Sequence, residues 1–138
     1  MKRRLPIWLV CLVGVLVVSC TGNVGPPVYD QPTKPIEVGV GEEFIIAVDY
    51  EPTTDYFWKE QYDAGAVDLM ESTCVLCTEG EIKQVTLYND IGYRTEANAV
   101  NFSRFQALRK GETEITMVFK RPLEDTFIEQ KVFSVIVN

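Results

Sequence analysis

Glu114-Ile115-Thr116-Met117-Val118-Phe119-Lys120 places Ile115, Met117 and Phe119 on one side of an extended chain and Glu114, Thr116, Val118 and Lys120 on the other. Successive side chains of a strand point to opposite faces, so this alternation marks a β-strand with one buried face. The same period continues outward in both directions. Downstream, Phe133, Val135 and Val137 share a face; upstream, Ser103, Phe105 and Ala107 do. Nearer the N-terminus Ile36, Val38 and Val40 alternate with polar or glycine positions, and Phe44, Ile46, Val48 and Tyr50 line one face. Residues 56–62 and 82–88 read as two further strands. Gly39, Gly41, Pro52, Gly65, Gly80, Gly92, Gly111 and Pro122 separate these runs. About seven short strands with regular turns predict an all-β fold, an immunoglobulin-like antiparallel sandwich. Trp58 is its expected core aromatic. The stretch from 79 to 101 fits this scheme least well, with a polar run from 89 to 98 after its strand.

Composition narrows the chemistry. The 138 residues contain no histidine, which excludes Ser-His-Asp triads, Cys-His dyads and His-ligated zinc. Carboxylates are plentiful, but no spacing singles out an acid and a base. The chain therefore reads as a non-enzyme with no cofactor, no metal and no small-molecule substrate. Twenty acidic against 13 basic residues give a net charge of −7, which argues against a nucleic-acid partner.

The N-terminus carries a different signal. Lys2, Arg3 and Arg4 precede an apolar run over residues 5–18. That run is shorter than the roughly 20 residues of a membrane-spanning helix. It ends in Val17-Val18-Ser19-Cys20 and resembles a bacterial lipoprotein signal, in which the cysteine after the cut carries the lipid. The expected organisation is a signal peptide over 1–19, a Gly/Pro-rich tether over 20–34 and a domain over 35–138. The resemblance implies an exported chain, lipid-anchored to the bacterial membrane or envelope through Cys20 and facing outside the cytoplasm. Cleavage would take the net charge from −7 to −10. Cys74 and Cys77 then remain. Without a second pair or a histidine they match neither a zinc site nor a redox motif well, and export favours a small disulfide between them, with two free thiols as the other state.

Three stretches together resemble the chagasin family of inhibitors of papain-like cysteine proteases. Glu51-Pro52-Thr53-Thr54-Asp55-Tyr56-Phe57-Trp58 is similar to the family's Asn-Pro-Thr-Thr-Gly-Tyr/Phe-x-Trp. Phe105-Gln106-Ala107, then Gly111, leads into Arg121-Pro122-Leu123-Glu124, similar to the family's Arg-Pro-Trp-Glu. Val38 through Gly41-Glu42 to Phe44 resembles the family's first hairpin. Glu51, Asp55 and Leu123 depart from the family's asparagine, glycine and tryptophan. Glu96-Ala97-Asn98-Ala99-Val100 stands where the family has a glycine-rich loop.

The resemblance implies an immunoglobulin-like fold and reversible, non-covalent blockade of a papain-like protease. It also implies protease contact through Pro52, Thr53, Thr54, Asp55, Tyr56, Arg121, Pro122 and Leu123. Strand alternation supports the geometry, since every second connection emerges at the same end. The connections over 51–55, 89–99 and 121–126 are expected to share one end. Pro52 and Pro122 restrict backbone freedom and so lower the entropic cost of ordering a loop on a partner. Arg121 is held extended by the proline after it and can donate hydrogen bonds or stack on a ring. A second reading is an immunoglobulin-like cell-surface adhesion or envelope-assembly module with no protease target. In that reading Glu51, Asp55 and Asp125 would meet a cationic or calcium-dependent partner.

Overall fold

The computed structural model describes residues 25–52, 55–77, 83–87 and 91–138. The signal peptide, Cys20, Thr53 and Thr54 lie outside the described residues.

Ten strands and no helix occur among the described residues. One sheet has the order β1 (Val28–Tyr29), β3 (Glu43–Tyr50), β8 (Ala99–Ala107), β5 (Val67–Leu76). The facing sheet has the order β2 (Ile36–Val38), β10 (Phe127–Val137), β9 (Gly111–Lys120), β4 (Phe57–Tyr62). A separate hairpin pairs β6 (Lys83–Leu87) with β7 (Ile91–Thr95). All pairings are antiparallel except β1 with β3 and β2 with β10, where short strands near the chain's beginning lie parallel on the sheet edges.

The period-2 residues form the core. Phe44, Ile46, Val48, Val67, Phe105 and Ala107 from one sheet meet Ile36, Trp58, Ile115, Met117, Phe133, Val135 and Val137 from the other. Each Val, Ile, Phe or Met among them contributes about 1.5–3 kcal/mol of transfer free energy when fully buried. Trp58 takes its expected core position, and its indole N–H donates to the Asp49 carbonyl at 2.7 Å. The expected first hairpin is instead a crossover, because β2 and β3 belong to different sheets, and Gly41 makes its turn with φ of +83°, a region closed to most side chains.

A carboxylate also lies between the sheets. Glu60 of β4 is buried, and its Oε1 accepts from the hydroxyls of Ser72 and Ser103 at 2.6 Å each. Ser103 accepts in turn from the Asn101 amide at 3.2 Å. These bonds join β4 to β5 and β8 across the sandwich. They also explain a buried serine on the same face as Phe105.

Four further expectations change. First, three strands were not read from the sequence. β5 was hidden by a bulge between Leu69 and Glu71 that reverses its alternation. β7 lies in the run read as a polar loop. β1 lies in the presumed tether, where Ile45 N–H donates to the Pro27 carbonyl at 2.9 Å, so the chain docks well before residue 34. Second, the strand read through Val40 stops at Val38, and Val40 sits in the turn, 54% exposed.

Third, β3 is buried on both faces. Ile45 and Ala47 form a second apolar cluster with Val100 and Phe102, against which Val28, Val75, Cys77 and Tyr93 pack. The Tyr93 ring meets Phe102 edge-on at 5.5 Å, and its hydroxyl donates to Asp30 Oδ2 at 3.4 Å. Burial first, and then the charges of Asp30 and Asp49, hold this phenol well above the usual tyrosine range. It remains a neutral donor at physiological pH.

Fourth, Cys74 and Cys77 are separate thiols, not the expected bridge. Three residues along an extended strand span about 10 Å, beyond the Cα separation that a disulfide tolerates. They also face opposite ways: Cys77 joins the second cluster, while Cys74 is exposed. Partial desolvation of its sulfur, and next the neighbouring Cys77, still raises the Cys74 thiol above its ordinary value.

Candidate functional site

The end of the sandwich where β3 finishes and β4 begins gathers the motif residues. β4 and β9 are antiparallel neighbours with Phe57 opposite Lys120. The residues just before Phe57 and just after Lys120 are therefore forced side by side, which joins the two motifs that lie far apart in sequence.

An aromatic stack supports both loops from below. Phe119 of β9 lies 5.0 Å from Trp58, 5.5 Å from Tyr56 and 6.4 Å from Tyr50, ring centre to ring centre. Arg121 extends over the Tyr56 ring, with its guanidinium carbon 4.9 Å from the centroid. A cation over a tyrosine face contributes about 0.5–1 kcal/mol at an exposed site. Glu124 Oε1 lies 3.9 Å from Arg121 Nη1, and Glu124 N–H donates to the Arg121 carbonyl at 3.4 Å. Arg121 is thus pre-positioned by one loop's ring and the other loop's own turn. Tyr50, Asp55, Tyr56, Phe57, Arg121, Pro122 and Glu124 line an open hollow between the loops.

Leu123 forms the tip. It has φ of +63°, the one positive value among the described non-glycine residues, and its side chain is fully exposed at 103%. A leucine in the left-handed region costs about 1–2 kcal/mol, and nothing in the fold is gained by showing it to water. Backbone strain of this kind is characteristic of residues placed for contact.

The expected third loop is only partly at this end. Thr95 pairs with Lys83 at the near end of the β6–β7 hairpin, and its hydroxyl donates to Asp49 Oδ1 at 2.9 Å. The strand then runs away over the sheet, with Tyr93 above Phe102. Of the described residues 91–99, the segment 96–98 stands beside the motif loops. There Asn98 Nδ2 donates to Glu51 Oε2 at 3.3 Å, and Ala97 N–H to the Thr95 hydroxyl at 3.0 Å. Glu51, one of the departures from the family pattern, therefore has a partner in the segment that replaces the glycine-rich loop. Pro52 and Asp55 are exposed on the first loop; Thr53 and Thr54 fall outside the described residues.

Phe127 and Ile128 also stand exposed beside the second loop, at 47% and 64%. Local alternation does not mark them, since which residues of β10 lie over the core is set by its pairing with distant strands. Among the described residues no three Cys, Asp or Glu side chains gather closely enough to hold a metal ion.

Residues 37–137 match the family model described as Chagasin family peptidase inhibitor I42. Among solved structures, the chain resembles the crystal structure of a cysteine protease inhibitor from Entamoeba histolytica. The TM-score is 0.56 at 16% identity, covering 83% of this chain and 100% of the other. The solution structure of amebosin matches with a TM-score of 0.48 at 18% identity, covering 83% of this chain and 97% of that one. No curated protein sequence matches the chain.

Proposed function

The chain belongs to the chagasin family of peptidase inhibitors, and from that premise we propose that it blocks papain-like cysteine proteases reversibly and without a covalent bond. The observation that carries the reading is the joining of two family-like motifs at one end, with Arg121 of the second stacked on Tyr56 of the first. In this reading Pro52, Thr53, Thr54, Asp55 and Tyr56 form one lip of the contact. Arg121, Pro122 and Leu123 form the other, and residues 96–98 flank them. The loops enter the cleft, and Leu123 offers an apolar tip while Arg121 offers donors. No residue here is an obvious covalent trap.

The test is inhibition of a panel of papain-like proteases by the purified domain. Competitive inhibition that reverses on dilution is expected. A folded domain that leaves the whole panel unaffected at micromolar concentration would falsify the inhibitor reading and advance the adhesion-module alternative.

The basic n-region, short apolar run and Ser19-Cys20 junction support export and lipid attachment at Cys20. Cys20→Ser is expected to release the domain from the membrane fraction. A mature N-terminus without acyl mass in the unsubstituted protein would end that part of the proposal.

A further inference from the structure

β1 runs parallel to β3, with Val28 beside Ile45 and Tyr29 beside Ile46. The chain therefore enters the sandwich at the end where β3 begins. β3 finishes at Tyr50, beside the motif loops, so the entry point and the motif loops lie at opposite ends.

At the entry end, backbone hydrogen bonds lace the turns together. Val40 N–H donates to the Asn138 carbonyl at 3.2 Å, Gly41 N–H to Ala107 at 2.8 Å and Leu108 N–H to Ala66 at 2.9 Å. Two of these turns present apolar side chains to solvent, Val40 at 54% and Leu108 at 43%. Arg109 and Lys110 follow directly. Two of the carboxylates nearby are engaged, while Glu112 and Asp68 stand exposed. Glu42 accepts from Gly39 N–H at 3.0 Å, and Asp63 accepts from Gly65 N–H at 2.8 Å and lies 3.4 Å from Arg109. The motif end likewise carries exposed carboxylates, Asp55 and Asp125, beside Glu51 and Glu124, which meet Asn98 and Arg121.

We propose that the entry end, led by Val40 and Leu108, rests on the lipid bilayer surface and holds the motif loops away from it. This rests on the membrane attachment at Cys20 proposed above and not on what the loops bind.

Reach decides between the two ends, since apolar side chains stand exposed at both. Only residues 21–24 separate Cys20 from Gly25, a span of at most about 18 Å. The eight residues of β3 alone extend about 27 Å, so the motif end cannot turn head-on to the lipid. Exposed Lys110, beside Arg109, offers anionic headgroups a local cationic contact. Apolar side chains flanked by cations are the chemistry that settles at the boundary between headgroups and acyl chains.

The test uses the full chain, processed in its native host, purified in detergent and reconstituted into phosphatidylethanolamine–phosphatidylglycerol vesicles with brominated acyl chains. Trp58 is the one tryptophan beyond the signal segment and supplies the baseline. Emission added by Val40→Trp and by Leu108→Trp is expected to fall about twofold in brominated lipid, as for side chains at the acyl boundary. Emission added by Leu123→Trp and by Ile128→Trp is expected to be unchanged. Quenching at Leu123→Trp, or at Ile128→Trp as in a sandwich lying on its side, would overturn the proposal. Absence of quenching at both Val40→Trp and Leu108→Trp would do so too, as would failure of the full chain to stay with the vesicles. Protease inhibition is not part of the readout, so a failed inhibitor reading and a failed orientation give different results.

Discussion

Phe105→Ala is expected to destabilise the domain by about 3–5 kcal/mol, the range for deleting a buried phenylalanine. Phe105 is fully buried on β8, the strand held between β3 and β5. Its ring stacks on Phe44 at 5.6 Å and meets Tyr62 edge-on at 5.4 Å. Leu69 and Phe44 flank it in register. Backbone ladders on both sides hold the surrounding walls, so the cavity cannot close by collapse. A domain of ordinary stability has only about 5–15 kcal/mol to lose. Urea unfolding followed by Trp58 fluorescence measures the change, with the midpoint falling and the slope unaltered. A loss below about 1 kcal/mol would mean that the two sheets do not interlock around this ring.

Arg121→Ala is expected to weaken inhibition by about 1–3 kcal/mol, or roughly 5- to 150-fold in the inhibition constant, while folding stability falls by no more than about 1 kcal/mol, the worth of its contact with Tyr56. The side chain is half exposed and its partners, Tyr56 and Glu124, belong to the loops, not the core. Arg121→Lys keeps the charge but loses the planar stack and fork of donors, so it should fall between the two. Thr54→Ala is expected to cost a similar amount as a contact in the neighbouring loop. Leu123→Trp, which restores the family residue, should hold or improve affinity. The exposed carboxylates around these loops should make association salt-sensitive, faster toward a basic cleft and slower toward an acidic one. Unchanged inhibition in both Arg121→Ala and Thr54→Ala would remove this end of the sandwich from the contact.

The parts legible in the sequence were those that depend on near neighbours. Ile115, Met117 and Phe119 announce a strand because alternation is local. Pro52 and Arg121-Pro122 announce loop entries because proline acts on its own residue and the one before. Trp58 could be assigned to the core from its place in the third strand. The candidate motifs were legible for the same reason, since each is a short run of consecutive residues.

The remaining features depend on partners distant in the chain. Ile45, Ala47, Val100 and Phe102 looked half-exposed by alternation, yet a second layer around Tyr93 buries that face too. β5 carries Glu71, Ser72 and Thr73 and reads as polar, because Ser72 faces Glu60 across the sandwich. Val28 and Tyr29 form a strand only because β3 offers a free edge.

By itself the sequence determined an all-β sandwich with two family-like loops, because hydrophobic period and turn chemistry are written residue by residue. Only the tertiary structure decided that Arg121 stacks on Tyr56, that Glu51 meets Asn98, that Leu123 stands strained and exposed at the tip, and that Cys74 and Cys77 face apart. Each of these follows from strand register and sheet packing, which bring together or separate groups by rules that sequence distance does not contain.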